Sequence, residues 1–125
     1  IDAVEMSGGT GLSPANRGFA RPGVQSPDEE VYYLDAAKMY KDAVSVPLML
    51  VGGILSHEVA SDLVDKGIAD FVALSRPLVR EPYLVKRWRE GDTSRATCVH
   101  CNQCFGPARS GEGIYCVYAS QQEGV

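Results

Sequence analysis

Residues 46–54 read Val46-Pro47-Leu48-Met49-Leu50-Val51-Gly52-Gly53-Ile54, and residues 69–77 read Ala69-Asp70-Phe71-Val72-Ala73-Leu74-Ser75-Arg76-Pro77. Each holds a short, nearly unbroken apolar run with no polar alternation. That is how a strand reads when helices cover both faces of a parallel sheet. Pro47 stands near the start of the first run, where a missing N–H does least harm to a ladder. The runs close on residues of a different kind, Gly52-Gly53 in one and Ser75-Arg76-Pro77 in the other.

Helical signals lie on either side of these runs. Between them, Ser56 suits an N-cap, Glu58 falls in the first turn, Val59 and Leu63 form one stripe with Ala60 and Val64 beside it, and Gly67 supplies the stop. Upstream, Ser26-Pro27-Asp28-Glu29 has the pattern of a capping box with proline at the first helical position. Tyr33, Ala36, Ala37, Tyr40 and Val44 follow at the spacing of one apolar face, which predicts a helix ending near Val44. Downstream, Glu81-Pro82 opens a third helix with Leu84, Val85 and Trp88 inward, and Gly91 ends it. Ile1 to Met6 reads as one more strand, running into Ser7-Gly8-Gly9-Thr10-Gly11 and a long loop with Pro14, Gly18, Pro22 and Gly23. Strand and helix thus alternate three times, the order of right-handed βαβ units on a parallel sheet.

Composition narrows the class of function. The 125 residues are 45% apolar and 22% charged, and no apolar run is long enough to span a bilayer. A formal charge of −4 with scattered basic residues gives a polyanion nothing to hold; the small cluster Lys86, Arg87 and Arg89 does not change that. Neither nucleic acid nor membrane is expected as a partner. The N-terminus has no initiator Met and no leader pattern, so the chain is expected to begin inside a longer protein and to reside in the cytoplasm.

In α/β sheets and barrels, ligands gather at the carboxyl ends of strands. Paired glycines let backbone N–H groups approach a phosphate, and arginine offers a planar fork matched to its oxygens. Gly52, Gly53 and Arg76 occupy equivalent places in consecutive units, so they are expected to cradle a phosphate; taken singly, each glycine pair would be an ordinary turn.

All four cysteines fall in the last 28 residues, as Cys98-x2-Cys101-x2-Cys104-x11-Cys116. The spacing is too dense for a secreted disulfide framework. It suits an iron–sulfur cluster, and it also suits a tetrahedral four-thiolate zinc site. Four reduced cysteines with no metal are the third reading. His100, between the first two cysteines, is expected to be a solvated neighbour.

Together, VPLMLVGGI (46–54), GIADFVALSRPLVREPYLVKRWREGD (67–92) and CVHCNQC (98–104) resemble the C-terminal part of the Old Yellow Enzyme family, in its branch of NADH:flavin oxidoreductases and dienoyl-CoA reductase-like enzymes. The resemblance implies an α/β fold that is the C-terminal portion of a (β/α)8 TIM barrel, with its sixth to eighth strands and their helices, followed by a Cys-rich segment. It implies FMN held at its phosphate by Gly52, Gly53, Ser75 and Arg76. It implies a 4Fe-4S cluster on Cys98, Cys101, Cys104 and Cys116, with NAD(P)H as reductant and an activated C=C bond, of enoate or dienoyl thioester type, as substrate. Many relatives carry Gly where Ser75 stands, and the iron–sulfur relatives place three residues where Asn102-Gln103 are two. The family's substrate-activating His/Asn or His/His pair and its Tyr proton donor lie on earlier strands, so no catalytic residue is assigned here and the segment alone is expected to be inactive.

The expected division is a partial barrel over residues 1–96 and a metal- or cluster-binding segment over 97–125. A three-strand sheet exposes two edges, which predicts self-association. The competing function is a non-catalytic, phosphate-binding half barrel with a structural four-cysteine zinc site.

Overall fold

The computed structural model describes residues 1–122 and 124. Three short strands, β1 (Val4–Met6), β2 (Leu48–Leu50) and β3 (Phe71–Val72), form a parallel sheet in the order β1-β2-β3. Val4 pairs with Leu48, and Leu50 with Val72. Helices α1 (Leu34–Ala43) and α2 (His57–Asp65) connect the strands. Beyond β3 come α3 (Arg76–Arg80), α4 (Leu84–Arg89), α5 (Phe105–Ser110) and α6 (Val117–Gln122). The chain is therefore a small α/β unit with a parallel sheet, as the alternation of signals implies.

Leu48 and Leu50 are fully buried and join Ile54, Ala37, Leu63 and Ala69 in the larger apolar cluster. Leu55, Leu84, Trp88, Val24 and Ala96 make the second. Asp70 ties β2 to β3 from the side, accepting from Leu48 N–H and from Lys41 Nζ, both at 2.8 Å. These two contacts hold its carboxyl below the usual carboxylate range, the backbone bond being the larger influence.

Several expected elements differ in detail. The helix expected from Ser26 to Val44 divides into a 3-10 turn over Pro27–Glu29 and α1, with Val31 between them at φ 61°. Part of the capping box is present, since Glu29 Oε2 accepts from Ser26 N–H at 3.0 Å. The helix cannot run on because Glu30 is drawn elsewhere. Its buried carboxylate accepts from Leu55 N–H, Ser56 N–H and Ser56 Oγ at the start of α2, and pairs with Arg95 at 3.1 Å. Within α1, Ala37 is buried whereas Ala36 faces solvent. The third expected helix is the single α4, preceded by the unforeseen short α3; Leu84 and Trp88 point inward as expected, but Val85 is 55% exposed. Phe71 is 57% exposed, so β3 is not covered on both faces.

The segment after Gly91 lies against the sheet unit at several points. Ala96 N–H donates to Leu55 O at 2.9 Å, and His100 O accepts from Gly23 N–H at 3.3 Å. No helix among the described residues is long and apolar enough to cross a membrane.

Candidate functional site

The carboxyl ends of β2 and β3 meet as parallel neighbours must, and the four residues singled out there border one hollow of about 230 Å³. Gly52 and Gly53 form one wall, Ser75 and Arg76 another, with Tyr32 and His100 completing it. Ser7-Gly8-Gly9-Thr10, at the end of β1, does not contribute; Gly8 O instead accepts from Tyr33 Oη at 2.7 Å.

The glycine pair has a packing cause the sequence did not disclose. Gly52 and Gly53 have φ of 126° and 75°, and a Cβ on Gly53 would stand 2.4 Å from Tyr32 Cε1. A Cβ on Gly52 would stand 2.9 Å from Tyr33 Cδ2. Two tyrosine rings lie on the pair, and Tyr32 N–H donates to Gly52 O at 3.0 Å. Among the described residues the N–H groups of Gly53, Ile54 and Ser75 find no acceptor, and Ser75 Oγ makes no capping bond to α3.

Arg76 begins α3 and is only 9% exposed. Its Nη1 donates to Arg21 O at 3.0 Å and to Asn102 Oδ1 at 2.5 Å, and its Nη2 to Tyr32 Oη at 2.8 Å. None of the ion pairs among the described residues involves it. A buried guanidinium with neutral acceptors but no counter-charge leaves a positive potential in the hollow, because a low-dielectric surrounding screens it poorly. Arg21 adds to this: its guanidinium lies 4.9 Å from the Tyr32 ring centroid, and its buried Nε has no partner.

Tyr32 Oη also donates to Arg21 O at 2.8 Å and lies 3.4 Å from His100 Nδ1. Burial pushes the Tyr32 hydroxyl upward in pKa, against the pull of Arg76. His100 is 1% exposed, which overturns its reading as a solvated neighbour. Burial, reinforced by Arg76 and Arg95, pushes it down to about 4, so the imidazole is neutral near pH 7.

The cysteines border a second, much smaller cavity of about 20 Å³, shared with Arg76, His100 and Asn102. Cys104 is buried, Cys98 and Cys116 are partly covered, and Cys101 is exposed; all four are free thiols. Burial raises the thiols of Cys98 and Cys104 above their ordinary range. Four soft donors on one cavity is the right chemistry for a cluster or zinc. Yet among the described residues no group of three or more His, Cys, Asp or Glu side chains is arranged to hold a metal ion. Ligation would require the loop to tighten and the thiols to lose their protons. His100 and Asn102, at φ of 51° and 63°, flank Cys101 in left-handed backbone.

No protein-family model matches the chain. Curated proteins do. The chain is 35% identical over 79 residues to the 4,4'-dithiodibutanoate disulfide reductase of Rhodococcus erythropolis, covering 63% of the chain and 19% of the relative. It is 33% identical over 93 residues to an NADH-dependent flavin oxidoreductase of Talaromyces variabilis, covering 69% and 22%. To the NADPH dehydrogenase of Clostridium acetobutylicum it is 33% identical over 85 residues, covering 68% and 22%. The names of these relatives, a disulfide reductase, an NADH-dependent flavin oxidoreductase and an NADPH dehydrogenase, match the resemblance to the Old Yellow Enzyme family. The chain spans about one fifth of the length of these relatives.

Tyr32, Arg21 and Asn102 were missed by sequence reasoning. Tyr32 reads as one more residue of an amphipathic helix, and only the break at Val31 turns it onto the glycines. The shortened spacing at Asn102-Gln103 was the one available signal that this loop is built differently.

Proposed function

We propose that the chain is the phosphate-gripping segment of an NAD(P)H-dependent, FMN-containing oxidoreductase that reduces activated C=C bonds of enoate or dienoyl thioester type. The observation that carries this reading is the buried, counter-charge-free Arg76 beside the unpaired N–H groups of Gly53, Ile54 and Ser75. Such a set fits a phosphate dianion, which takes amide donors and a fixed cation together. The Ser75 hydroxyl is free to donate. Gly53, Ser75 and Arg76 would hold FMN at its phosphate, and the group would supply hydride transfer between NAD(P)H and the C=C bond. The residues of this chain hold and orient; the groups that polarise the substrate and supply the proton are assigned to other parts of a longer protein.

In this reading β1, β2 and β3 are the sixth, seventh and eighth strands of a TIM barrel within residues 1–96, and in residues 97–125 Cys98, Cys101, Cys104 and Cys116 would hold a 4Fe-4S cluster, which would supply one-electron chemistry beside the flavin. The shared cavity of the four thiols supports that assignment. We also propose a cytoplasmic location. A zinc-tailed, non-catalytic phosphate binder is the second reading, favoured by the same four thiols. Anaerobically prepared protein should contain iron with acid-labile sulfide; stoichiometric zinc would select the second reading.

Titration with FMN tests the phosphate site. Arg76→Ala should weaken FMN binding by about 1.5–3 kcal/mol, the scale of a lost charge-assisted contact. Equal affinities in the two proteins would sink the assignment.

A further inference from the structure

Arg76 borders both cavities, and its contact with Asn102, which of the two lines only the cysteine cavity, is a side-chain link from the phosphate hollow to the cysteine loop. Arg76 itself lines the hollow at the end of β3. Asn102 Oδ1 accepts from Arg76 Nη1, while Asn102 Nδ2 donates to Ala20 O at 2.8 Å. Both ends of the amide are therefore used, one on the arginine and one on the loop that precedes Arg21. The backbone of Asn102 is left-handed at φ 63°, a conformation asparagine tolerates better than most residues. The remaining acceptors of Arg76, Tyr32 Oη and Arg21 O, come from residues earlier in the chain, before β2.

We propose that Asn102 is a positioning residue for Arg76, so that the grip on the flavin phosphate depends on the conformation of the cysteine loop. The inference rests on the phosphate reading above. A guanidinium fork delivers its two N–H directions only when its plane is fixed, and an arginine free to rotate loses that geometry. Asn102 fixes the Nη1 edge from one side while Tyr32 fixes Nη2 from the other. Because Asn102 sits between Cys101 and Cys104, any change that rearranges the cysteines moves the acceptor that holds Arg76. By linkage, phosphate bound at Arg76 in turn favours the loop conformation seen here.

The test compares FMN with riboflavin, which lacks the phosphate, in wild type, Asn102→Gly and Asn102→Asp. Glycine keeps the left-handed backbone and removes both the acceptor for Arg76 and the donor to Ala20 O. Asn102→Gly should lower the FMN-over-riboflavin preference about tenfold, with riboflavin affinity unchanged, the scale of one hydrogen bond to a charged group. Asn102→Asp should lower it at least as far, because a carboxylate there competes with the phosphate for Arg76. A role confined to loop stability would move both ligands together and leave the preference intact. If wild type prefers FMN and Asn102→Gly keeps that preference, the positioning role is wrong while the phosphate site stands. If wild type shows no preference for FMN, the phosphate site itself is wrong and the positioning role falls with it.

Discussion

At the scale of single residues, Gly53 carries two constraints at once. Its φ of 75° suits a residue without Cβ, and the Tyr32 ring occupies the space a methyl group would need. The Gly53→Ala variant should therefore displace Tyr32, and with it the hydroxyl that holds Arg76 Nη2. The backbone penalty alone is about 1–2 kcal/mol. Urea unfolding should record at least that loss, and FMN affinity should fall with it; a variant of wild-type stability would show that Tyr32 moves aside freely. Gly52, Gly53 and Arg76 were legible in the sequence because a strand end, a glycine pair and an arginine make a recognisable chemical set. Their partners were not, since Tyr32 reaches the glycines across 20 positions of chain and Asn102 reaches Arg76 across 26.

At the scale of elements, α2 depends on a residue far from it in sequence. Ser56 was expected to cap this helix, and it does stand at the N-cap, but its hydroxyl donates to Glu30 Oε1 at 2.6 Å instead of accepting from the first turn. Glu30 Oε2 takes the N–H groups of Leu55 and Ser56. Glu30→Ala should cost about 2–4 kcal/mol, since it strips acceptors from buried donors and leaves Arg95 unpaired. The urea midpoint should shift accordingly; no shift would mean that water replaces the carboxylate. This same tie explains why the helix expected from Ser26 to Val44 is interrupted. Local signals at Ser26, Pro27 and Glu29 correctly announced a helix start, while the demand of α2 for a buried acceptor ended it at Glu30. The strands and α2 were readable because their apolar runs are local. The break at Val31 was not, because its cause lies 25 residues away.

At the scale of the whole molecule, three parallel strands leave β1 and β3 with one neighbour each, and Phe71 lies largely exposed on β3. An open parallel edge with an uncovered aromatic calls for further strands or a second chain. We propose that the isolated chain self-associates through these edges, and sedimentation velocity should show the sedimentation coefficient rising with concentration; a concentration-independent monomer would oppose it. The central claim, that the ends of β2 and β3 hold the phosphate of FMN, is tested most directly by amide NMR. Adding FMN should shift the backbone resonances of Gly53, Ile54, Ser75 and Arg76 together, and riboflavin should leave those four in place. Shifts of the same size with riboflavin, or FMN shifts confined to other residues, would contradict it.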